Sequence, residues 1–208
     1  MEIDTLNNSS EDSRDFSRAI YALREGKLIA VVTDTVWGLV ADPHNPAALE
    51  RLYHSKKRPL EKPLQCLCAS LEAAQNLCDL SNPQAKQAFE RLQKFWPGGL
   101  TLLLPAHSSV PELLRPAGIV GVRIPNHPIT LELLDEMGGY AACSSLNLSG
   151  EPAIVFEEEA RANPQLYDFL LLGGDASGVA STVYDPLSQY IIRQGAITLE
   201  QLHKQLLS

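Results

Sequence analysis

The residues best suited to chemistry lie in Lys56-Lys57-Arg58-Pro59-Leu60-Glu61-Lys62-Pro63, where four cations crowd around two prolines with no helical or strand period. A proline holds φ at about −65° and has no N–H, so Pro59 and Pro63 favour a stiff, extended loop on which Lys56, Arg58 and Lys62 can point the same way. Arg offers a planar fork to two oxygens at once and Lys a compact point charge, which together suit a polyphosphate. The bland alternative is a solvated basic loop joining a helix to a strand. Two other loops carry polar groups. Thr33-Asp34-Thr35-Val36-Trp37-Gly38-Leu39 sets hydroxyls and a carboxylate after a buried strand, where open α/β sheets bind ligands. Ser144-Ser145-Leu146-Asn147-Leu148-Ser149-Gly150 follows another such strand, with hydroxyls, an amide and a glycine that permits the backbone turn. Each also reads as a turn whose side chains cap their own backbone.

These loops need a scaffold, and the apolar pattern supplies one. Helical spacing marks Asp12–Arg24, Ala47–Ser55, Leu71–Leu77, Gln84–Phe95, Pro128–Glu136 and Thr198–Leu207. Short apolar runs mark strands at Leu28–Val32, Leu64–Ala69, Leu100–Leu104, Ile119–Ile124, Tyr140–Ser145 and Phe169–Leu172. Ser181–Asp185 and Tyr190–Gly195 read as a hairpin around Pro186–Gln189. Strands and helices alternate first and hairpins come later, so the expected fold is α/β. It is a single-domain, twisted, open mixed sheet with flanking helices over 12–208, preceded by a polar arm at 1–11.

The chain has 208 residues, enough for one substantial core, and a net charge of −8 from 17 basic and 25 acidic side chains. That balance speaks against a protein that grips a nucleic-acid backbone tightly, and it makes a clustered basic loop conspicuous. No stretch reaches the length of a membrane span and the polar start has no apolar signal region, so a cytoplasmic protein is expected. Cys66-Leu67-Cys68 puts two thiols on one face of a strand, a metal pair only if further ligands converge. With no Cys-x-x-Cys and no His-Glu-x-x-His, no metal site is expected, and Cys66, Cys68, Cys78 and Cys143 read as buried free thiols.

Taken together, Thr33–Leu39, Lys56-Lys57-Arg58-Pro59 with Lys62-Pro63, Trp96-Pro97-Gly98, Gly121-Val122-Arg123, Ser145–Gly150, Ser181-Thr182-Val183 and Arg193-x-Gly195 stand in one order along most of the chain. The pattern resembles the threonylcarbamoyl-AMP synthase family, also called YrdC or TsaC-like. The resemblance implies a sheet lining a large concave cavity. It also implies a nucleotidyltransferase that joins L-threonine, bicarbonate and ATP into threonylcarbamoyl-AMP with release of pyrophosphate. The product would pass to the downstream tRNA threonylcarbamoyl transferase machinery, and Mg²⁺ would travel with the ATP. Carried over by position, Lys56, Arg58 and Lys62 would hold the phosphates, with Lys56 and Arg58 meeting the charge as pyrophosphate departs. Ser145 and Asn147 would hold the nucleotide from the opposite wall with help from Arg193, and Thr35, Arg123 and Ser181 would receive threonine. Several positions depart from the pattern: Val32 stands where many relatives have Pro, Leu67 where some have His, Gly99 where Pro is common and Leu146 where Ala is usual. Leu146 is expected to add bulk beside the nucleotide pocket, which keeps open an alternative, a non-synthase paralogue that binds nucleotide or RNA as a module.

The basic loop makes a direct prediction. Arg58→Ala should weaken ATP binding by about 1.5–3 kcal/mol, the range for a charge-assisted hydrogen bond. Calorimetric titration checks it, and unchanged affinity in a folded variant returns the loop to its bland reading.

Overall fold

The run Leu28–Val32 alternates between two cores: Leu28, Ala30 and Val32 pack on one face of the sheet, Ile29 and Val31 on the other. A strand buried on both faces must be apolar throughout, which is why this one shows no polar alternation. It forms β1 (Ile29–Val31), and the same division recurs in β3 (Gln65–Cys68) and β6 (Tyr140–Ser145). Helices cover both sides. Helices α1 (Leu6–Arg24) and α5 (Pro128–Glu136) lie on one, and α2 (Pro46–Ser55), α4 (Pro83–Leu92) and α7 (Leu199–Leu207) on the other. The sequence caps these helices locally: Asn45 accepts from the Ala48 N–H before Pro46, and Asn82 accepts from the Gln84 and Ala85 N–H groups before Pro83. Ser70 does the same for α3 (Leu71–Asn76) through Ala73. The computed structural model describes residues 6–57, 59 and 63–207, so Arg58 and Lys62 lie outside the described residues.

The remaining strands are β2 (Gly38–Ala41), β4 (Leu100–Pro105), β5 (Ile119–Arg123), β7 (Phe169–Leu171), β8 (Thr182–Asp185) and β9 (Tyr190–Arg193). Together they form one nine-stranded mixed sheet in the order β7-β1-β2-β6-β3-β5-β4-β8-β9. The pairs β1–β7, β3–β5 and β4–β8 are parallel and the others antiparallel. The predicted hairpin is β8–β9.

Several elements differ from the sequence expectation. Strand β2 was hidden inside the polar loop, because it is four residues long and starts directly after Trp37; pairing with β1 on one side and β6 on the other makes it a strand. Helix α1 begins at Leu6, inside the segment read as an arm. The helix expected over 84–95 ends at Leu92 and tightens into a 3₁₀ turn, Gln93–Phe95. Helix α6 (Glu157–Ala162) carries no apolar period to announce it, only Ala160 buried and three glutamates in a first turn that suits the helix dipole. Leu146 does not crowd a ligand pocket. Its side chain is fully buried in the core, held there by the Leu146 N–H to Trp37 carbonyl bond and the Ile154 N–H to Leu146 carbonyl bond. Val32 is likewise wholly in the core.

Candidate active site

The registers Val31↔Gly38 and Gly38↔Ser145 place the loop after β1 beside the end of β6. One narrow pocket at these strand ends is lined by Thr35, Gln65, Arg123, Ser145, Ser181 and Arg193, with Thr33, Trp37 and Cys143 in its wall. Five residues separated by up to 158 positions in the chain, all expected in ligand binding, thus meet in one place: Thr35, Arg123, Ser145, Ser181 and Arg193. A larger concavity of about 850 Å³ lies between α1, α5 and the end of β7, and it holds none of the predicted residues.

Arg123 ends β5 at 2% exposure. Its guanidinium donates to the Gly98 carbonyl through Nε (3.0 Å), to Thr35 Oγ1 through Nη1 (2.8 Å) and to the Asp34 carboxylate through Nη2. Burial pulls its pKa below the ordinary arginine value, and the Asp34 charge pulls it back up. Asp34 also accepts from the Asn126 N–H (3.0 Å). The motifs around Thr33, Trp96 and Gly121 are therefore parts of one buried cluster.

Arg193 donates to the Ser181 carbonyl (3.0 Å) and to Ser181 Oγ (2.8 Å), so it supports the group expected at threonine. Ser181 Oγ lies 2.9 Å from Thr101 Oγ1, which donates to Gln65 Oε1 (3.0 Å). Gly195 makes this corner possible. A Cβ there would collide with the Ala180 carbonyl and the Thr182 N–H, so only glycine lets the end of β9 lie against Ala180–Thr182.

Lys56, at 2% exposure, turns inward from the end of α2. Its ammonium donates to the Ser145 carbonyl, to Asn147 Oδ1 (2.6 Å) and to the Asn147 carbonyl (2.9 Å). Ser145 Oγ also donates to Asn147 Oδ1 (2.7 Å), and the Ser149 N–H to the Lys56 carbonyl (3.1 Å). The two walls expected to face each other across the nucleotide are thus joined by this lysine.

Sequence reasoning did not assign roles to Asp34, Gly98, Thr101 or Gln65. Thr101 and Gln65 did leave a signal, since each interrupts an apolar run, Leu100–Leu104 and Leu64–Cys68, with a polar side chain. The four cysteines are buried and free. Burial pushes the Cys143 thiol up to about 11, against the pull of Arg123, Gln65 and Lys56, so it is no nucleophile at neutral pH. Among the described residues no group of three or more His, Cys, Asp or Glu side chains is placed to hold a metal ion.

The Sua5/YciO/YrdC family model, described as "Telomere recombination", matches residues 21–195. The chain belongs to this family. A threonylcarbamoyl-AMP synthase of Bacillus subtilis is 34% identical over 96% of this chain and 59% of its own length. One from Vibrio campbellii is 32% identical over 88% of this chain and all of its own length. The crystal structure of Pyrococcus abyssi Sua5 complexed with L-threonine superimposes with a TM-score of 0.81 at 33% identity, covering 91% of this chain and 56% of that one. The chain therefore spans little more than half the length of some family members and the whole of others.

In this chain the Ser145–Gly150 loop hangs on the buried Lys56 ammonium, and that is testable. Lys56→Met keeps the aliphatic volume and leaves the carbonyl and amide oxygens of Ser145 and Asn147 without their charged donor. The expected cost is about 2–3 kcal/mol of stability, read from urea unfolding midpoints. A loss below the range of an ordinary surface substitution would mean that the loop does not depend on Lys56.

Proposed function

We propose that this chain is an L-threonylcarbamoyladenylate synthase, acting in the cytoplasm on L-threonine, bicarbonate and ATP. The observation that carries the reading is a buried guanidinium, Arg123, in one narrow pocket with the hydroxyls of Thr35 and Ser181. A guanidinium suits an α-carboxylate and the hydroxyls suit a hydroxyl-bearing side chain. The relatives named as synthases, and the threonine complex of Pyrococcus abyssi Sua5, support the same reading.

In the proposed reaction the threonine amine attacks the carbon of carbon dioxide or bicarbonate. Starting from bicarbonate, a water is lost and an N–C bond forms. A carbamate oxygen then attacks the α-phosphorus and the bond to the departing pyrophosphate breaks. Both steps need anions held together with their charge met, and neither needs a side-chain nucleophile. Lys56, Arg58 and Lys62 take the phosphates, with Lys56 exchanging the carbonyls it now holds for phosphate oxygens. Ser145 and Asn147 take the nucleotide, and Arg193 holds Ser181 in place beside threonine. Mg²⁺ would arrive with the nucleotide and offset part of its phosphate charge. The adenylate is consumed by a tRNA threonylcarbamoyl transferase rather than by this chain.

Two measurements test this reading. Pyrophosphate release should depend on threonine and fall steeply with valine, which lacks the hydroxyl. Serine, which lacks only a methyl, should lose about 1–3 kcal/mol of transition-state binding. Turnover with valine equal to that with threonine, or no amino-acid dependence, would remove the proposed pocket. Binding of tRNA should be weak at physiological salt because the chain is acidic; submicromolar binding with a steep salt slope would favour the RNA-module alternative instead.

A further inference from the structure

Two of the hydroxyls that line the pocket, those of Thr35 and Ser181, are each the second link of a chain that starts at an arginine. Proton direction along these chains follows from which groups are unable to donate or accept. Arginine only donates, a carbonyl or amide oxygen only accepts, and a hydroxyl has one proton to give. Thr33 gives its proton to the Val36 carbonyl (2.6 Å), so Thr35, 3.0 Å away, donates to Thr33 and receives from Arg123. Thr101 gives its proton to Gln65 Oε1, so Ser181 donates to Thr101 and receives from Arg193. The Thr35 and Ser181 hydroxyls have thus committed their protons inside the protein. Towards a ligand they can only accept.

The chains end differently. The first ends on a main-chain carbonyl, which side-chain changes do not alter. The second ends on Gln65, which reaches from β3 over β5 to Thr101 on β4. The crossing is possible because the strand between them carries Gly121 where it pairs with Gln65. A Cβ on Gly121 would stand 3.6 Å from Thr101 Cγ2 and 3.8 Å from Gln65 Cα, and any longer side chain would fill the gap the hydrogen bond crosses.

We propose that Gln65 is a positioning residue: by holding the Thr101 proton it fixes Ser181 as an acceptor, and so selects an amino acid whose side chain donates a hydrogen bond. The inference rests on the amino-acid reading above. It predicts that the pocket distinguishes threonine from 2-amino-3-fluorobutyrate, which has nearly the same shape but whose fluorine can only accept. Without the Gln65 oxygen, the Thr101 proton can turn to Ser181 and the Ser181 proton can turn to the ligand.

The test measures threonine, 2-amino-3-fluorobutyrate and valine by calorimetric binding and by pyrophosphate release, in the wild type and three variants. Gln65→Leu should lower the preference for threonine over the fluoro analogue by about tenfold or more, with the KM for ATP unchanged. Thr101→Val, which frees the Ser181 proton by another route, should do the same and serves if Gln65→Leu does not fold. Gln65→Glu keeps an acceptor for Thr101 and should keep the preference. A preference unchanged in Gln65→Leu and Thr101→Val, or lost equally in Gln65→Glu, overturns the role of Gln65 while wild-type activity with threonine stands. A wild type that neither binds an amino acid nor releases pyrophosphate with one overturns this inference and the functional reading together.

Discussion

The structure is arranged around the need to bury a guanidinium. A cation taken out of water loses several kcal/mol of hydration, and this is recovered only if charge and hydrogen bonds meet it with good geometry. Arg123, at the end of β5, satisfies that condition with groups from two other segments: Asp34 and Thr35 after β1 and the Gly98 carbonyl before β4. Its burial therefore couples the loop conformations to one another. Asp34 adds the Asn126 N–H, so the approach to α5 is tied in as well.

Lys56 repeats the device on the other side of the pocket, where the carbonyl and amide oxygens of Ser145 and Asn147 meet its ammonium. Carbonyl and amide oxygens are neutral partners that an arriving anion can displace, whereas Arg123 is held by the Asp34 carboxylate. This difference fits the division of labour proposed for them: a lysine that exchanges partners when phosphates arrive, and an arginine that is preorganised and stays. Small residues set how closely these groups approach. Gly121 opens the space over β5, Gly195 seats the β9 corner on Ser181, and Gly38 passes Cys143 where a Cβ would come within 3.0 Å of the sulfur.

Much of this was legible in the order of residues. Apolar runs, Asn-Pro helix starts and the β8–β9 turn reflect local physics, and they marked most elements because local propensity and burial agree in them. The clamp was also visible as a cluster of cations, and the two polar loops and Arg123 as polar groups after buried strands, whereas Ser181 and Arg193 stood out only through the family resemblance. Strand β2 and helix α6 escaped because their stability comes from neighbours: β2 from two pairing strands, and α6 from its packing through Ala160.

The sequence by itself determined which residue types were available to bind anions and hydroxyls, and where strands would deliver them, because those depend on short-range periodicity. Only the tertiary structure decided which of them touch. It turned Leu146 from the pocket into the core, set Lys56 on Ser145 and Asn147, gave Arg193 to Ser181, and brought Gln65 to Thr101 across β5. Those outcomes depend on strand order and register, since a side chain's partners lie on strands whose neighbours are chosen by the packing of both faces, and no local pattern encodes that choice.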